Sequence, residues 1–205
     1  MSAAKVTPPQ TATRVWQRML SGRRLDLLDP SPLDIEIADI AHGLARVARW
    51  NGQTNGAHIF SVAQHTLLVE AVMRHHTPRA DHRLRLAALL HDAPEYVVGD
   101  MISPFKAMVG GEYKAIEARL LAAIHIRFGL SAVQPAALVK AIKAADRVAA
   151  FFEATRLAGF AESEAAQFFG RPRGIDIATL PIEPWPTAEA ESRFLTRFGA
   201  LYPGT

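Results

Sequence analysis

Two histidines and two aspartates stand in this chain at positions where a helical core is ordinarily apolar. His65 lies among Val62, Leu68, Val69 and Val72, at the −3, +3, +4 and +7 spacings of one helical face. His91-Asp92 directly follows the apolar run Leu86–Leu90, and Asp146 shares a stripe with Val139, Ile142 and Ala149. A buried carboxylate is costly unless it is paired or bound to a cation. A divalent ion would satisfy all four groups at once, and two imidazole nitrogens with two carboxylate oxygens suit Mn, Fe, Co, Ni or Zn. An ion so held polarises a phosphoryl oxygen and makes water a usable nucleophile near neutral pH. Glu95 follows His91 by four residues and Asp92 by three. On a continuing helix it shares their face, where it can orient or deprotonate that water. Singly, each residue has an ordinary explanation: His65 as a satisfied core histidine, His91-Asp92 as a chance dipeptide, Asp146 as the partner of Arg147 or Arg156. The ordered set, each member on an apolar helix, carries the reading.

Helical periodicity supplies the elements that must position these groups. The spacing predicts helices over 37–50, about 60–75, 84 to about 92, 112–128, 135 to about 157, 161–169 and 187–201, with Phe194, Leu195 and Phe198 on the inner stripe of the last. Pro94 is expected to kink or end the third helix by clashing with the carbonyl of Leu90. Residues 170–186 read as irregular, and Arg24–Leu28 and Ile175–Leu180 as two short strands. The expected fold is all-α, a single-domain bundle of six or more helices with a minor two-stranded element. Residues 1–13 read as a flexible lead-in and 14–205 as the domain, with its core at about 34–157.

Composition narrows the function classes. The 205 residues contain no cysteine, which excludes disulfide scaffolds, thiol catalysis and thiolate metal sites. Lys and Arg number 23 against 20 Asp and Glu, a net +3 too mild to argue for nucleic acid. The basic residues are scattered and lack interleaved aromatics, so binding of a nucleic-acid polymer is not expected. No apolar run approaches the roughly eighteen residues of a membrane span, and a cytoplasmic protein is the expectation.

The set His65, His91-Asp92, Glu95 and Asp146 resembles the H…HD…D pattern of the HD-domain metal-dependent phosphohydrolases. It is most similar to the bacterial 5′-deoxynucleotidases of the YfbR type. Arg49-Trp50 stands before the first histidine, Gly99-Asp100 follows Glu95, Glu112–Glu117 opens the next helix, and Ala144-Ala-Asp146 carries the last ligand. The resemblance spans roughly residues 34–157. It implies one divalent ion (Mn, Co, Fe, Ni, Zn or Mg) held by His65, His91, Asp92 and Asp146, with Glu95 and Asp92 as the catalytic carboxylates. It also implies Arg49 on the substrate phosphate, Trp50 near the sugar or base, and Asp100 on the sugar hydroxyls. The implied reaction is hydrolysis of a (deoxy)ribonucleoside 5′-monophosphate to nucleoside and phosphate, and the implied assembly is a homodimer. Independently, His42, Arg46 and Arg49 share a face if the helix over 37–50 is continuous, which would make a phosphate wall.

Two features depart from the pattern. Gln64 stands where the nucleotidases commonly carry an acid, and Pro94 interrupts the segment leading to Glu95. They leave room for hydrolysis of another nucleotide, a triphosphate or an alarmone, or for a regulatory module that binds a metal or nucleotide without turnover. The alarmone hydrolases usually place a Glu-Asp pair shortly after the HD dipeptide, where this chain has Ala93-Pro-Glu-Tyr-Val97. Of the other candidates, His75, His76 and His82 flank a Pro-containing loop, as surface residues or as further ligands of a two-metal site; His58 is a loop residue with or without a phosphate contact, and His125 reads as structural. Lys106 reads as a solvated lysine, and the pairs Phe151-Phe152 and Phe168-Phe169 as core.

Overall fold

A computed structural model describes residues 15–102, 108 and 111–202. The lead-in over residues 1–13 and Lys106 lie outside the described residues. Eight α-helices are present among them: α1 (Ile37–Leu44), α2 (Val62–His76), α3 (His82–Leu89), α4 (Glu95–Val98), α5 (Gly111–Arg127), α6 (Ala136–Arg156), α7 (Glu162–Phe169) and α8 (Thr187–Leu201). The mainly α expectation holds. No helix among the described residues is long and apolar enough to cross a membrane.

The helix starts follow local chemistry. Ser61 caps α2 by accepting from the Gln64 amide, and Asp81 caps α3 by accepting from the Leu84 amide. Pro135, which has no N–H to leave unsatisfied, immediately precedes α6. The central element is α2, buried on nearly every face from Val62 to Val69 and packed against α1, α3, α6 and α8. Its Glu70 is buried, accepts from Arg85 of α3 and Arg197 of α8, and so ties three helices through one carboxylate.

The minor sheet differs from the expectation. β1 (Trp16–Arg18), which carries no strong pattern, pairs antiparallel with β2 (Arg24–Asp26), in the register Gln17 to Leu25. The strand expected over Ile175–Leu180 is instead a 3₁₀ turn, Ile177–Thr179, capped by Asp176. A side-chain cap offers the backbone an alternative to ladder pairing.

Two helix boundaries also differ, and both matter for the site. The helix expected over 37–50 ends at Leu44, and the chain re-forms as a 3₁₀ turn at Arg49–Gly52. Trp50 and Asn51 there adopt positive φ, 57° and 51°, a conformation that costs non-glycine residues roughly 1–3 kcal/mol each. The helix expected to reach Asp92 ends at Leu89. A tight turn follows, and Pro94 starts α4 rather than kinking a continuous helix. This resolves the clash, because the Leu90 carbonyl accepts from the Ala93 amide instead.

Gly43 lets α1 and α4 approach closely. A Cβ there would lie 2.8 Å from Tyr96 Cβ and 2.9 Å from the Tyr96 carbonyl oxygen. The obstruction is partly backbone and cannot rotate away. Gly43→Ala is expected to destabilise the fold by roughly 1–3 kcal/mol, read as a lower urea midpoint with an unchanged slope.

Candidate active site

His65 is fully buried on α2, and its two ring nitrogens have distinct tasks. Nδ1 meets Glu153 Oε1 at 2.6 Å. A carboxylate only accepts, so Nδ1 carries the proton and Nε2 presents a lone pair on the other side of the ring. His91 is arranged in the same way: its Nδ1 donates to the Ala88 carbonyl at 2.8 Å, again leaving Nε2 open. Both Nε2 atoms are buried with no hydrogen-bond partner among the described residues. Around them stand carboxylate oxygens. Asp92 Oδ2 is 3.4 Å from His65 Nε2 and 3.2 Å from His91 Nε2, and Asp146 Oδ1 is 3.3 Å from His65 Nε2.

Lone pairs facing carboxylates at that range repel unless a proton or a cation lies between them. The protein's electrostatics register the same demand. Burial and the Arg49 charge oppose a second proton on His65, yet Glu153, Asp146 and Asp92 hold its pKa well above the ordinary value. Burial would raise Asp92, and the imidazoles of His91 and His65 bring it well below the usual carboxylate range. A divalent cation meets this demand with two nitrogens and two oxygens, the donor set expected from the sequence. Candidate ligand atoms of His65, His91 and Asp146 lie within 4.8 Å of one another.

Glu153 was not foreseen, although it follows Asp146 by seven residues and therefore shares its helical face. It is fully buried and serves three groups. Oε1 takes His65, while Oε2 accepts from Trp50 Nε1 at 2.9 Å and from Arg49 Nε at 3.4 Å. Burial alone would raise its pKa, but the charges of His65 and Arg49, with hydrogen bonds from His65 and Trp50, lower it to about 2. The Trp50 bond helps hold the strained turn at Arg49–Gly52 in place. Arg49 also donates from Nη1 to Asp100 Oδ2 at 3.0 Å. Burial disfavours the guanidinium charge, and Glu153 and Asp100 restore it, raising the Arg49 pKa above its ordinary value. With Nε and Nη1 engaged, Nη2 has no hydrogen-bond partner among the described residues.

These groups open onto one cavity of about 800 Å³, lined by Arg49, Trp50, Asp92, Glu95, Asp100 and Asp146 among others. Six of the eight residues expected from the sequence thus line one space, and the remaining two, His65 and His91, meet it through Asp92 and Asp146. Glu95 arrives by a different route from the one expected. It does not share a continuous helix with His91 and Asp92. It is the first residue of α4, placed there by the turn before Pro94. Asp100 reaches the cavity after Gly99, whose φ of 77° turns the chain out of α4, and its contact is with Arg49.

Other expectations are corrected. His42 and Arg46 do not form a phosphate wall with Arg49. Both face Glu191 of α8, Arg46 at 2.7 Å, because the helix that would have aligned them stops at Leu44. Val139 shares a helical face with Asp146 and Ile142, but it is 51% exposed rather than part of the core. Asp146 pairs with neither Arg147 nor Arg156 but with His65. Phe168 is not core: it is 65% exposed and lines the cavity, as Phe160 and Phe169 do. Gln64 is fully buried beside His65. It donates to the Pro181 and Glu183 carbonyls and accepts from the Trp185 amide, which ties residues 181–185 to α2. An ionised acid could not donate there, so the departure at this position has a structural reason.

The helical fold and the histidine–aspartate cluster define a class, the HD superfamily. The chain belongs to its YfbR-like 5′-deoxynucleotidase family, whose model matches residues 37–166. A protein of Rhodobacter capsulatus, itself described as uncharacterized, is 57% identical over 188 residues, which is 92% of this chain and 96% of that protein.

Glu153 orients the His65 lone pair, so replacing it is expected to weaken any divalent-metal binding while His65, His91, Asp92 and Asp146 themselves remain. Glu153→Gln should lower Mn²⁺ or Co²⁺ affinity by about 10–100-fold by titration calorimetry, with an unchanged far-ultraviolet circular dichroism spectrum.

Proposed function

We propose that the protein is a divalent-metal-dependent phosphohydrolase that converts deoxyribonucleoside 5′-monophosphates to nucleoside and phosphate. The observation that carries this reading is the pair of imidazoles whose Nδ1 atoms are tied back while their Nε2 lone pairs meet two carboxylates, beside a buried arginine in the same cavity. The family of the chain supports the same chemistry.

His65, His91, Asp92 and Asp146 are the residues that would hold the ion. When bound, such an ion supplies Lewis-acid polarisation of a phosphoryl oxygen and a more acidic water. Arg49 holds the substrate phosphate through Nη2, its charge maintained by Glu153 and Asp100. Glu95, buried at the cavity wall, takes a proton from the attacking water. Water oxygen bonds to phosphorus, the bond from phosphorus to the 5′ oxygen breaks, and that oxygen leaves as the nucleoside hydroxyl after gaining a proton. Trp50 borders the sugar and base. Asp100 serves first as the partner of Arg49 and second as an acceptor for sugar hydroxyls.

A second reading has one observation in its favour. Lys143 and Arg147, one turn apart on α6, line the cavity without an ion pair among the described residues. Two further cations would suit a nucleotide with a longer phosphate chain.

Phosphate release from a panel of 5′-ribo- and deoxyribonucleoside mono- and triphosphates, with Mn²⁺ or Co²⁺ added, separates the two. The expected result is release of inorganic phosphate from monophosphates, fastest for the deoxy series, abolished by chelator and by Asp92→Ala. Arg49→Lys should lower kcat/KM by at least tenfold, because an ammonium cannot serve Glu153, Asp100 and a phosphate together. Pyrophosphate as the product would favour the triphosphate reading. No release from folded, metal-loaded protein would contradict both.

A further inference from the structure

Four aromatic rings share the cavity with the histidine–aspartate cluster: Trp50, Phe160, Phe168 and Phe169. They form a connected chain. Centroids lie 5.7 Å apart for Trp50–Phe160, 6.0 Å for Trp50–Phe169, 6.5 Å for Phe160–Phe168 and 6.2 Å for Phe168–Phe169, all tilted or edge-on. Three of the rings have a packing reason to be there. Trp50, Phe160 and Phe169 rest on the apolar cluster built around Phe151 and Phe152. Phe168 does not: it belongs to neither apolar cluster and is largely exposed, yet it stands in the cavity wall, edge-on to Phe160 and tilted against Phe169, two rings that are themselves packed on that cluster.

A large aromatic side chain left uncovered inside a cavity, with its orientation set from behind, is a surface prepared for another flat ring. The cavity volume of about 800 Å³ falls in the upper part of the range for small-molecule sites, so there is room for a planar group beyond the phosphate-holding end.

We propose that Phe168, backed by Phe160 and Phe169, is the face on which the aromatic base of the nucleotide stacks. The helix α7 then determines how strongly a nucleotide is held relative to a base-free phosphate ester. The proposal rests on the reading of the substrate as a nucleotide and adds a residue that the family match, ending at residue 166, does not reach. Every base offers a π face, so stacking of this kind tolerates all of them and favours the larger rings.

Measuring KM for deoxyadenosine 5′-monophosphate and for deoxyribose 5-phosphate, with Mn²⁺, in wild type, Phe168→Ala, Phe168→Leu and Phe168→Tyr tests the proposal. Thermal unfolding controls for folding, which an exposed side chain should barely affect. Alanine and leucine are expected to raise KM for the nucleotide about tenfold relative to the base-free ester, the loss of one base stack. Tyrosine should restore the wild-type ratio. Leucine keeps apolar area without a π face and so separates stacking from burial. An unchanged ratio in the alanine variant, or a leucine variant equal to wild type, overturns the proposal. Calorimetric binding of 2′-deoxyadenosine gives a readout that does not require turnover. If wild type hydrolyses neither ester but binds the nucleoside about tenfold more tightly than Phe168→Ala does, the hydrolytic reading falls and the base site stands. Equal or absent nucleoside binding in that case overturns the base site as well.

Discussion

One buried carboxylate governs this site. Glu153 sits in the interior with three donors around it: the imidazole of His65, the indole of Trp50 and the guanidinium of Arg49. A lone carboxylate at that depth would be protonated; surrounded in this way it stays ionised, with a pKa of about 2. Its charge fixes which nitrogen of His65 carries the proton, and therefore which nitrogen faces Asp92 and Asp146. Its second oxygen holds the turn that brings Arg49 and Trp50 into the cavity. The groups suited to a cation and the group suited to a phosphate are thus positioned by the same side chain. A change that moves Glu153 is expected to disturb both at once.

Around that hub the fold divides its labour. The cluster is drawn from α2, from the turn after α3 and from α6, and the pairing of Glu70 with Arg85 and Arg197 ties the middle of α2 to α3 and α8. Chain beyond the family match packs against the elements that carry the site. Residues 181–185 are fastened to α2 by the amide of Gln64, next to His65, and the end of α7 contributes the aromatic wall. The helical core supplies the histidine–aspartate cluster, and the end of α7 shapes the cavity beside it.

Much of this was legible in the sequence because polar residues at apolar helical positions are conspicuous. His65, His91, Asp92 and Asp146 were each visible against Val, Leu, Ala and Ile neighbours, and the structure brings them together. The geometry of Arg49 was not legible, because helical periodicity continues past Leu44 while the backbone breaks into a turn with two residues at positive φ. Asn51-Gly52 announces a turn, but no local propensity puts Trp50 at positive φ; that conformation persists because Glu153, more than one hundred positions away, holds Trp50. Glu153 itself was passed over, since one acid beside Phe151 and Phe152 reads as a chance event until Asp146 two turns earlier is assigned a task. Phe168 was misread for the opposite reason: a Phe-Phe pair implies burial, and only the tertiary arrangement shows one ring facing a cavity.

The central claim is that Glu153 holds His65 so that its Nε2, with His91, Asp92 and Asp146, forms a site for one divalent cation. Anomalous diffraction at the zinc edge, from crystals of the full chain grown with Zn²⁺, tests it most directly. The account predicts one strong peak about 2.0–2.2 Å from His65 Nε2, His91 Nε2 and an oxygen of each aspartate, with Glu153 still on Nδ1. A peak bonded through His65 Nδ1, or no peak among these four residues in protein shown to be folded, would contradict it.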